Sequence, residues 1–181
     1  MSQQHMIVEW LGRVDYQTAW DLQRRLVAEA SDADVPHRLL LLEHPPTYTL
    51  GRRGKLENLL FSERELSAEN ITVFHVDRGG DITYHGPGQL VGYPILNLRK
   101  LYDSNTPDLH RYLRELEQTI IDTLATFEIV AGRFPGYTGV WVKDCAGEEV
   151  ESTKIAAIGV KVSGRGITSH GFALNVNPNL D

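Results

Sequence analysis

At 181 residues the chain is long enough to bury a core without disulfides or a structural metal. Its 41% hydrophobic and 23% charged residues set it among globular proteins rather than disordered or fibrous ones. A formal net charge of -6 excludes a nucleic-acid binder driven by phosphate neutralisation, whose domain would be basic. The longest purely apolar run, Leu39 to Leu42, is far short of the roughly 20 residues of a membrane span, no secretory signal opens the chain, and a lone Cys145 can form no internal disulfide, so a single soluble, cytoplasmic domain over 1–181 is expected.

In chain order, Met6 to Leu11 reads as a strand. Asp15 then offers an N-cap for a helix whose apolar positions Ala19, Leu22, Leu26 and Ala30 recur at three and four residues, ending near Asp34–Val35–Pro36. Arg38 to Glu43, with four consecutive leucines, suits a strand buried on both faces, and Pro45–Pro46 stops it. Thr47 to Leu50 is a further extended piece. Ser62 with Glu65 makes a capping box for a short helix fading near Asn70, and Ile71 to Val76 is strand-like.

A glycine-rich turn separates that strand from another at Leu90 to Leu98. Thr106–Pro107 has the chemistry of a helix start, and Leu109, Leu113, Leu116, Ile120 and Leu124 form the stripe that follows. From Ile129 the chain becomes a run of strands: Gly139 to Lys143, a polar loop through Glu149, Lys154 to Ser163, a Gly164–Arg165–Gly166 turn, and Ile167 to Val176. Strands and helices without regular βαβ alternation indicate an α+β domain with a mixed sheet and packed helices.

The segment Arg78 to Gln89 gathers four glycines, a proline, an arginine and a histidine between two strands. Glycines let backbone N–H groups approach a ligand, and Arg78 offers a fixed fork for an anion or a polarised carbonyl; the plain alternative is a pair of hairpin turns with His85 packed between them. Gly51-Arg52-Arg53-Gly54-Lys55 lacks the spacing of a phosphate-binding loop and reads as a basic turn, either solvated or facing an acidic protein. The histidines show no pair at metal-binding helical spacing, so no metal is expected.

Arg78-Gly79-Gly80, Thr83-Tyr84-His85 and Gly86-Pro87-Gly88-Gln89 resemble, in order and spacing, the signature block of the lipoyl(octanoyl) transferases. Lys154-Ile155-Ala156-Ala157-Ile158-Gly159 and His170-Gly171-Phe172-Ala173-Leu174-Asn175 are similar to the family's next two blocks. The resemblance implies a fold shared with biotin and lipoate protein ligases, with helices mainly on one side of the sheet. It also implies transfer of an octanoyl group, without a cofactor, from octanoyl-acyl carrier protein to a lysine of lipoyl domains, those of 2-oxoacid dehydrogenases and the glycine cleavage H protein among them. By the same resemblance Arg78, Gly79, Gly80, Asp81, Ile82, Thr83, Tyr84 and His85, with Ala157, Ile158, Gly159, Gly171, Phe172 and Ala173, line the acyl site.

Lys154 matches the family's catalytic lysine. Regular strand alternation would put it on one face with Ala156, Ile158, Val160 and Val162, partly desolvated and able to exchange a proton. The family's nucleophile is a cysteine about ten residues beyond the Asn-Val-Asn run, a position past Asp181, so the chain reads as a catalytic domain apparently lacking its C-terminal part. Cys145, in the acidic loop Lys143-Asp144-Cys145-Ala146-Gly147-Glu148-Glu149, is a poor substitute because carboxylates oppose thiolate formation. The expected tunnel walls include Ile158, Phe172 and Leu174. An ATP-dependent lipoate-protein ligase and a non-catalytic relative that binds lipoyl domains stay open as alternatives.

Overall fold

The computed structural model describes residues 5–30, 35–143 and 152–180. Strand β1 (Met6–Arg13) leads into helix α1 (Tyr16–Glu29), and β2 (His37–Glu43) returns parallel to β1. Asp15 stands at the N-cap of α1 without a side-chain capping bond, and the helix closes at Ala30, earlier than expected. Next come β3 (Thr47–Leu50), a 3-10 turn at Leu56–Asn58, α2 (Glu63–Ala68) and β4 (Thr72–His75). The expected capping box is present, with the Ser62 hydroxyl accepting from the Glu65 N–H and the Glu65 carboxylate accepting from the Ser62 N–H at 2.8 Å.

The glycine-rich segment contains a short strand of its own, β5 (Ile82–His85), ahead of β6 (Gln89–Ile95). The extended run stops at Ile95 because the Asn97 side chain accepts from the N–H groups of Arg99 and Lys100, nucleating a one-turn helix, α3 (Leu98–Leu101). Helix α4 (Leu109–Ala125) starts later than Thr106–Pro107, since the carboxylate of Asp108 caps it by accepting from the Arg111 N–H at 2.9 Å. Then follow β7 (Ala131–Gly132), β8 (Val140–Lys143), β9 (Ser152–Val162) and β10 (Thr168–Asn175). The expected polar loop, Cys145 within it, lies outside the described residues.

The large sheet has the order β1-β2-β6-β10-β9-β8-β7, antiparallel except for β1 with β2; a second sheet, β4-β3-β5, packs beside it. The expected α+β class with a mixed sheet is what forms. Helices, however, cover both faces of the large sheet rather than mainly one. Ala19 and Leu26 of α1 pack on Leu40, Leu42, Val91, Tyr93 and Ala173, while Leu116, Ile120 and Leu124 of α4 pack on the opposite side, against Ala156, Val160 and Leu174. The alternation of β6 and β10 supplies both sets, because successive side chains leave a strand on opposite faces.

Leu40 and Leu42 are fully buried beneath α1. Leu39 and Leu41 are only half-buried, lining an apolar groove of about 370 Å³ beside α4, so the leucine strand is not sealed on both faces as expected. Among the described residues no helix is long and apolar enough to cross a membrane.

Candidate active site

Strand β8 pairs with β9 only between Ser152 and Ala156, which leaves the outer edge of β9 open beyond that point. The connection between β4 and β5 takes up the vacant edge. The Gly79 N–H donates to the Val160 carbonyl at 2.9 Å, and a Cβ at Gly159 would stand 2.9 Å from the Gly79 carbonyl oxygen and 3.0 Å from Arg78 Cδ. The missing Cβ of Gly159 is therefore what lets this segment lie against the strand, whereas a Cβ on Gly79 would meet only the Val160 carbonyl oxygen at an ordinary 3.5 Å. The turn after β3 holds the segment from the other side. Backbone N–H groups of Gly51, Arg52 and Arg53 donate to the carbonyls of Asp81, Arg78 and Gly80 at 3.0 to 3.1 Å.

Between this segment, β9, the start of α4 and Gly136–Thr138 lies a cleft of about 630 Å³. Of the residues expected at the acyl site, Arg78 through Tyr84, Lys154, Ala157, Ile158, Gly159 and Ala173 line it. His85, Gly171 and Phe172 lie instead on a small cavity of about 20 Å³ directly behind, whose wall also includes Arg78, Thr83, Ala157, Gly159 and Ala173. Of the expected tunnel walls only Ile158 reaches the cleft. Leu174 faces the α4 side, and so does part of Phe172, whose ring lies so close over Gly92 that a Cβ there would stand 2.2 Å from Cζ.

Arg78 is 6% exposed. Its guanidinium donates to the Thr49 carbonyl at 2.7 Å, to the Thr49 hydroxyl at 2.8 Å and to the Gly79 carbonyl at 3.0 Å, all neutral acceptors. Burial pulls its pKa below the usual arginine value. A guanidinium still stays charged at any working pH, so the wall of the cleft carries a desolvated cation ready for developing negative charge.

His85 is neutral by geometry as well as by burial. The Gln89 amide nitrogen donates to the Tyr84 carbonyl and to Asn175 Oδ1, so its oxygen accepts, and His85 Nδ1 must donate to it at 2.8 Å. Burial, reinforced by neighbouring His44, brings the His85 pKa down to about 3. This ring braces the site through Thr49 and does not exchange protons near neutral pH.

Lys154 does not sit as strand alternation predicts. Val140 pairs with Ala156 but Trp141 pairs with Lys154, so Ile155 is an extra residue on β9 and a bulge breaks the alternation. The ammonium lies 4.9 Å from the centre of the Trp141 ring, exposed at the cleft rather than desolvated among the residues under α4. Its amine nitrogen stands at the cleft mouth.

Behind the cleft runs a buried polar chain of which the sequence marked only His170, at the head of the third block. His44 Nδ1 donates to the Val14 carbonyl at 2.6 Å, so His44 Nε2 accepts from the Tyr93 hydroxyl at 2.8 Å, and the ring of Tyr16 packs 5.0 Å from His44. Burial lowers the His44 pKa to about 4 and raises those of Tyr16 and Tyr93. Nearby, Asp77 accepts from Lys161 Nζ at 2.5 Å and from His170 Nε2 at 2.8 Å. Although burial alone would raise its pKa, these two donors hold the Asp77 carboxyl down at about 2. These residues are scattered over α1, β6, β9, β10 and the loops, with no spacing that marks them in one dimension.

The fold is that of lipoate protein ligases. A bi-partite lipoate protein ligase of Thermoplasma acidophilum superposes with a TM-score of 0.72 at 16% identity, over 99% of this chain and 64% of that one. Lipoate-bound LipL1 of P. falciparum gives 0.70 at 16% identity, over 97% and 49%. In sequence, residues 15–181 match the lipoyl protein ligase A/B catalytic domain, and the chain belongs to that family. An octanoyltransferase of Chloroflexus aurantiacus is 47% identical over 175 residues, 97% of this chain and 74% of that protein. One of Solibacter usitatus is 54% identical over 170 residues, 94% of this chain and 71% of that protein.

Proposed function

We propose that this chain is the catalytic domain of an octanoyltransferase, which takes an octanoyl group from octanoyl-acyl carrier protein and places it on a lysine of lipoyl domains. The observation that carries the reading is the cleft at the open edge of β9, where the Arg78–Tyr84 segment meets Lys154 and Ala157–Gly159. Relatives near 50% identity that bear the octanoyltransferase name support it. The ligases share the fold at 16% identity, which speaks for architecture alone.

In this reading a cysteine thiolate, from a segment following Asp181 in the complete protein, attacks the carrier thioester. The carrier sulfur leaves as a thiolate and takes its proton from the Lys154 ammonium, so that an enzyme thioester forms and Lys154 is left neutral. The acceptor lysine, deprotonated, then attacks that thioester; its amide forms, the enzyme thiolate leaves, and the amine proton passes to Lys154. The Lys154 ammonium favours the thiolate before acylation, and Arg78 faces the tetrahedral oxyanion. Enclosing the hydrocarbon tail contributes on the order of 5 kcal/mol at about 0.8 kcal/mol per methylene, too little for tight binding by itself, so the protein surfaces of donor and acceptor supply the remainder. The acceptors include 2-oxoacid dehydrogenase lipoyl domains and the glycine cleavage H protein, and the reaction belongs to the cytoplasm.

The complete protein incubated with octanoyl-carrier should gain one octanoyl mass that hydroxylamine removes, then pass it to a lipoyl domain without ATP. Modification of the domain only with free octanoate and ATP would establish a ligase instead. Domain binding with no transfer under either condition would make it a non-catalytic relative.

A further inference from the structure

The chain carries a net charge of -6, yet the charged residues lining the cleft are Arg53, Arg78 and Lys154 against Asp81 alone. Asp81 is itself engaged, accepting from Asn58 Nδ2 at 2.7 Å and from the Ile82 N–H at 2.9 Å. Arg53, which lines the cleft, and its chain neighbour Arg52 are exposed, and among the described residues neither has a carboxylate partner. Their neighbour Lys55 is neutralised by Glu57 at 2.9 Å; Arg13, Arg24, Arg38 and Arg111 elsewhere on the surface each have a carboxylate partner, while Arg64, Arg99 and Arg165, away from the cleft, have none among the described residues.

The turn is held in place as part of the site. Besides its bonds to the Arg78–Asp81 segment, it is closed by Gly54 N–H donating to the Gly51 carbonyl at 2.8 Å, and a Cβ on Gly51 would stand 2.5 Å from the Gly80 carbonyl oxygen. Two free cations are thus anchored beside Arg78 at a cationic opening in an acidic protein. Such an opening concentrates anionic partners and speeds their encounter.

We infer that the Arg52–Arg53 turn is the docking point for an acidic acyl carrier protein, receiving the anionic surface around the base of its acyl arm. This rests on the octanoyltransferase reading and adds which partner the turn serves. An acceptor lysine approaches as a cation, which this rim repels, whereas a carrier's arm is joined through a phosphodiester and surrounded by carboxylates.

The test compares the complete protein with R52E/R53E and R52Q/R53Q, using octanoyl-carrier protein and the small neutral donor octanoyl-N-acetylcysteamine. Both arginine side chains are exposed and the turn is bonded through its backbone, so thermal midpoints should be shared, and the glutamine pair guards against damage by charge reversal. R52E/R53E should lower kcat/KM for the carrier at least about tenfold more than for the neutral donor, with R52Q/R53Q intermediate. Added salt should weaken carrier use by the wild type and not by R52E/R53E. Parallel losses with both donors, no loss with either, or a loss confined to the KM of the acceptor domain would each overturn the docking role. A wild type inert with both donors would remove the transferase reading itself.

Discussion

The guanidinium of Arg78 donates to both oxygens of Thr49, the carbonyl at 2.7 Å and the hydroxyl at 2.8 Å, and among the described residues it has no carboxylate within ion-pairing distance. A buried cation held by neutral acceptors weakens the fold, because desolvation is not offset by an opposite charge. Arg78→Met should therefore hold or raise the thermal midpoint while lowering kcat/KM for octanoyl transfer by about 100-fold or more. Arg78→Lys should also be impaired, since an ammonium cannot reproduce the fork. Full activity in Arg78→Met would remove Arg78 from the chemistry.

Lys154 stands exposed over Trp141, so its replacement should leave stability within about 0.5 kcal/mol. Lys154→Ala should lose most acyl transfer. Lys154→Arg should not restore it, because a guanidinium keeps the cation and cannot take up the amine proton. Pre-steady-state formation and decay of the thioester would separate the two roles: the arginine variant should acylate and then stall. Near-normal turnover in Lys154→Ala would end the assignment.

The two outcomes draw on different kinds of information. Arg78 is legible in sequence because its glycine neighbours announce close backbone approach, and the open edge of β9 is what they approach. The placement of Lys154 is not legible. It follows from one extra residue at Ile155 in the pairing with β8, and a bulge depends on the partner strand rather than on local pattern. His44 and Tyr93 were missed for a related reason. His44 follows the end of β2 and Tyr93 looks like an ordinary strand residue, and they meet 49 positions apart only when β2 pairs with β6. Helices α2 and α4 were legible through capping box and leucine stripe, whereas the split of helices between both sheet faces depends on tertiary packing.

The buried histidines set the acid limit of the fold. His44 and His85 have pKa values of about 4 and about 3 in the folded protein, against about 6.5 when unfolded. The unfolded chain thus binds more protons than the folded one below about pH 6.5, and stability rises with pH across that window. Their neutral burial costs nothing above pH 6.5 and becomes a penalty as pH falls toward 4, on the order of 3 kcal/mol for His44. Asp77 adds a further loss only below its unfolded value, as pH falls from about 4 to about 2. Urea midpoints should decline from pH 7 to pH 4.5 with a flatter slope in His44→Asn. Identical slopes in wild type and variant would show that His44 is not a source of the acid sensitivity.

Glu117 is fully buried on α4 and accepts from Arg114 at 2.7 Å, from Arg133 at 2.9 Å and from the Gly139 N–H at 3.1 Å. It ties the helix to the segment Gly136–Thr138 that lines the cleft. Glu117→Ala should destabilise by about 2 to 4 kcal/mol, less than a wholly buried pair because both arginines reach water. Glu117→Gln keeps the shape and one acceptor, and should fall between. Calorimetry measures both, and a destabilisation below about 0.5 kcal/mol for alanine would mean the carboxylate clamps nothing.

Gly159 tests the cleft without touching a charge. A Cβ there would stand 2.9 Å from the Gly79 carbonyl oxygen and 3.0 Å from Arg78 Cδ, too close to fit beside backbone without movement. The strand is tied through β10 along its other edge, so the segment bearing Arg78 should yield, weakening the Gly79 bond to Val160 and displacing the guanidinium by a few tenths of an ångström. Overpacking of this kind costs about 1 to 3 kcal/mol in a well-packed core, and less here because one side is a cleft. Catalysis is less forgiving, since misplacement of a positioned group on the scale of an ångström can lower rates by about 100-fold. Gly159→Ala should therefore lose more in kcat than in stability, with at least about tenfold lower kcat and a loss of stability below about 2 kcal/mol. Gly164, in the turn before β10, has open space at its Cβ and provides the matched control, with Gly164→Ala expected to retain full turnover. Equal activity in the two alanine variants would show that contact between the arginine segment and β9 is not needed for acyl transfer.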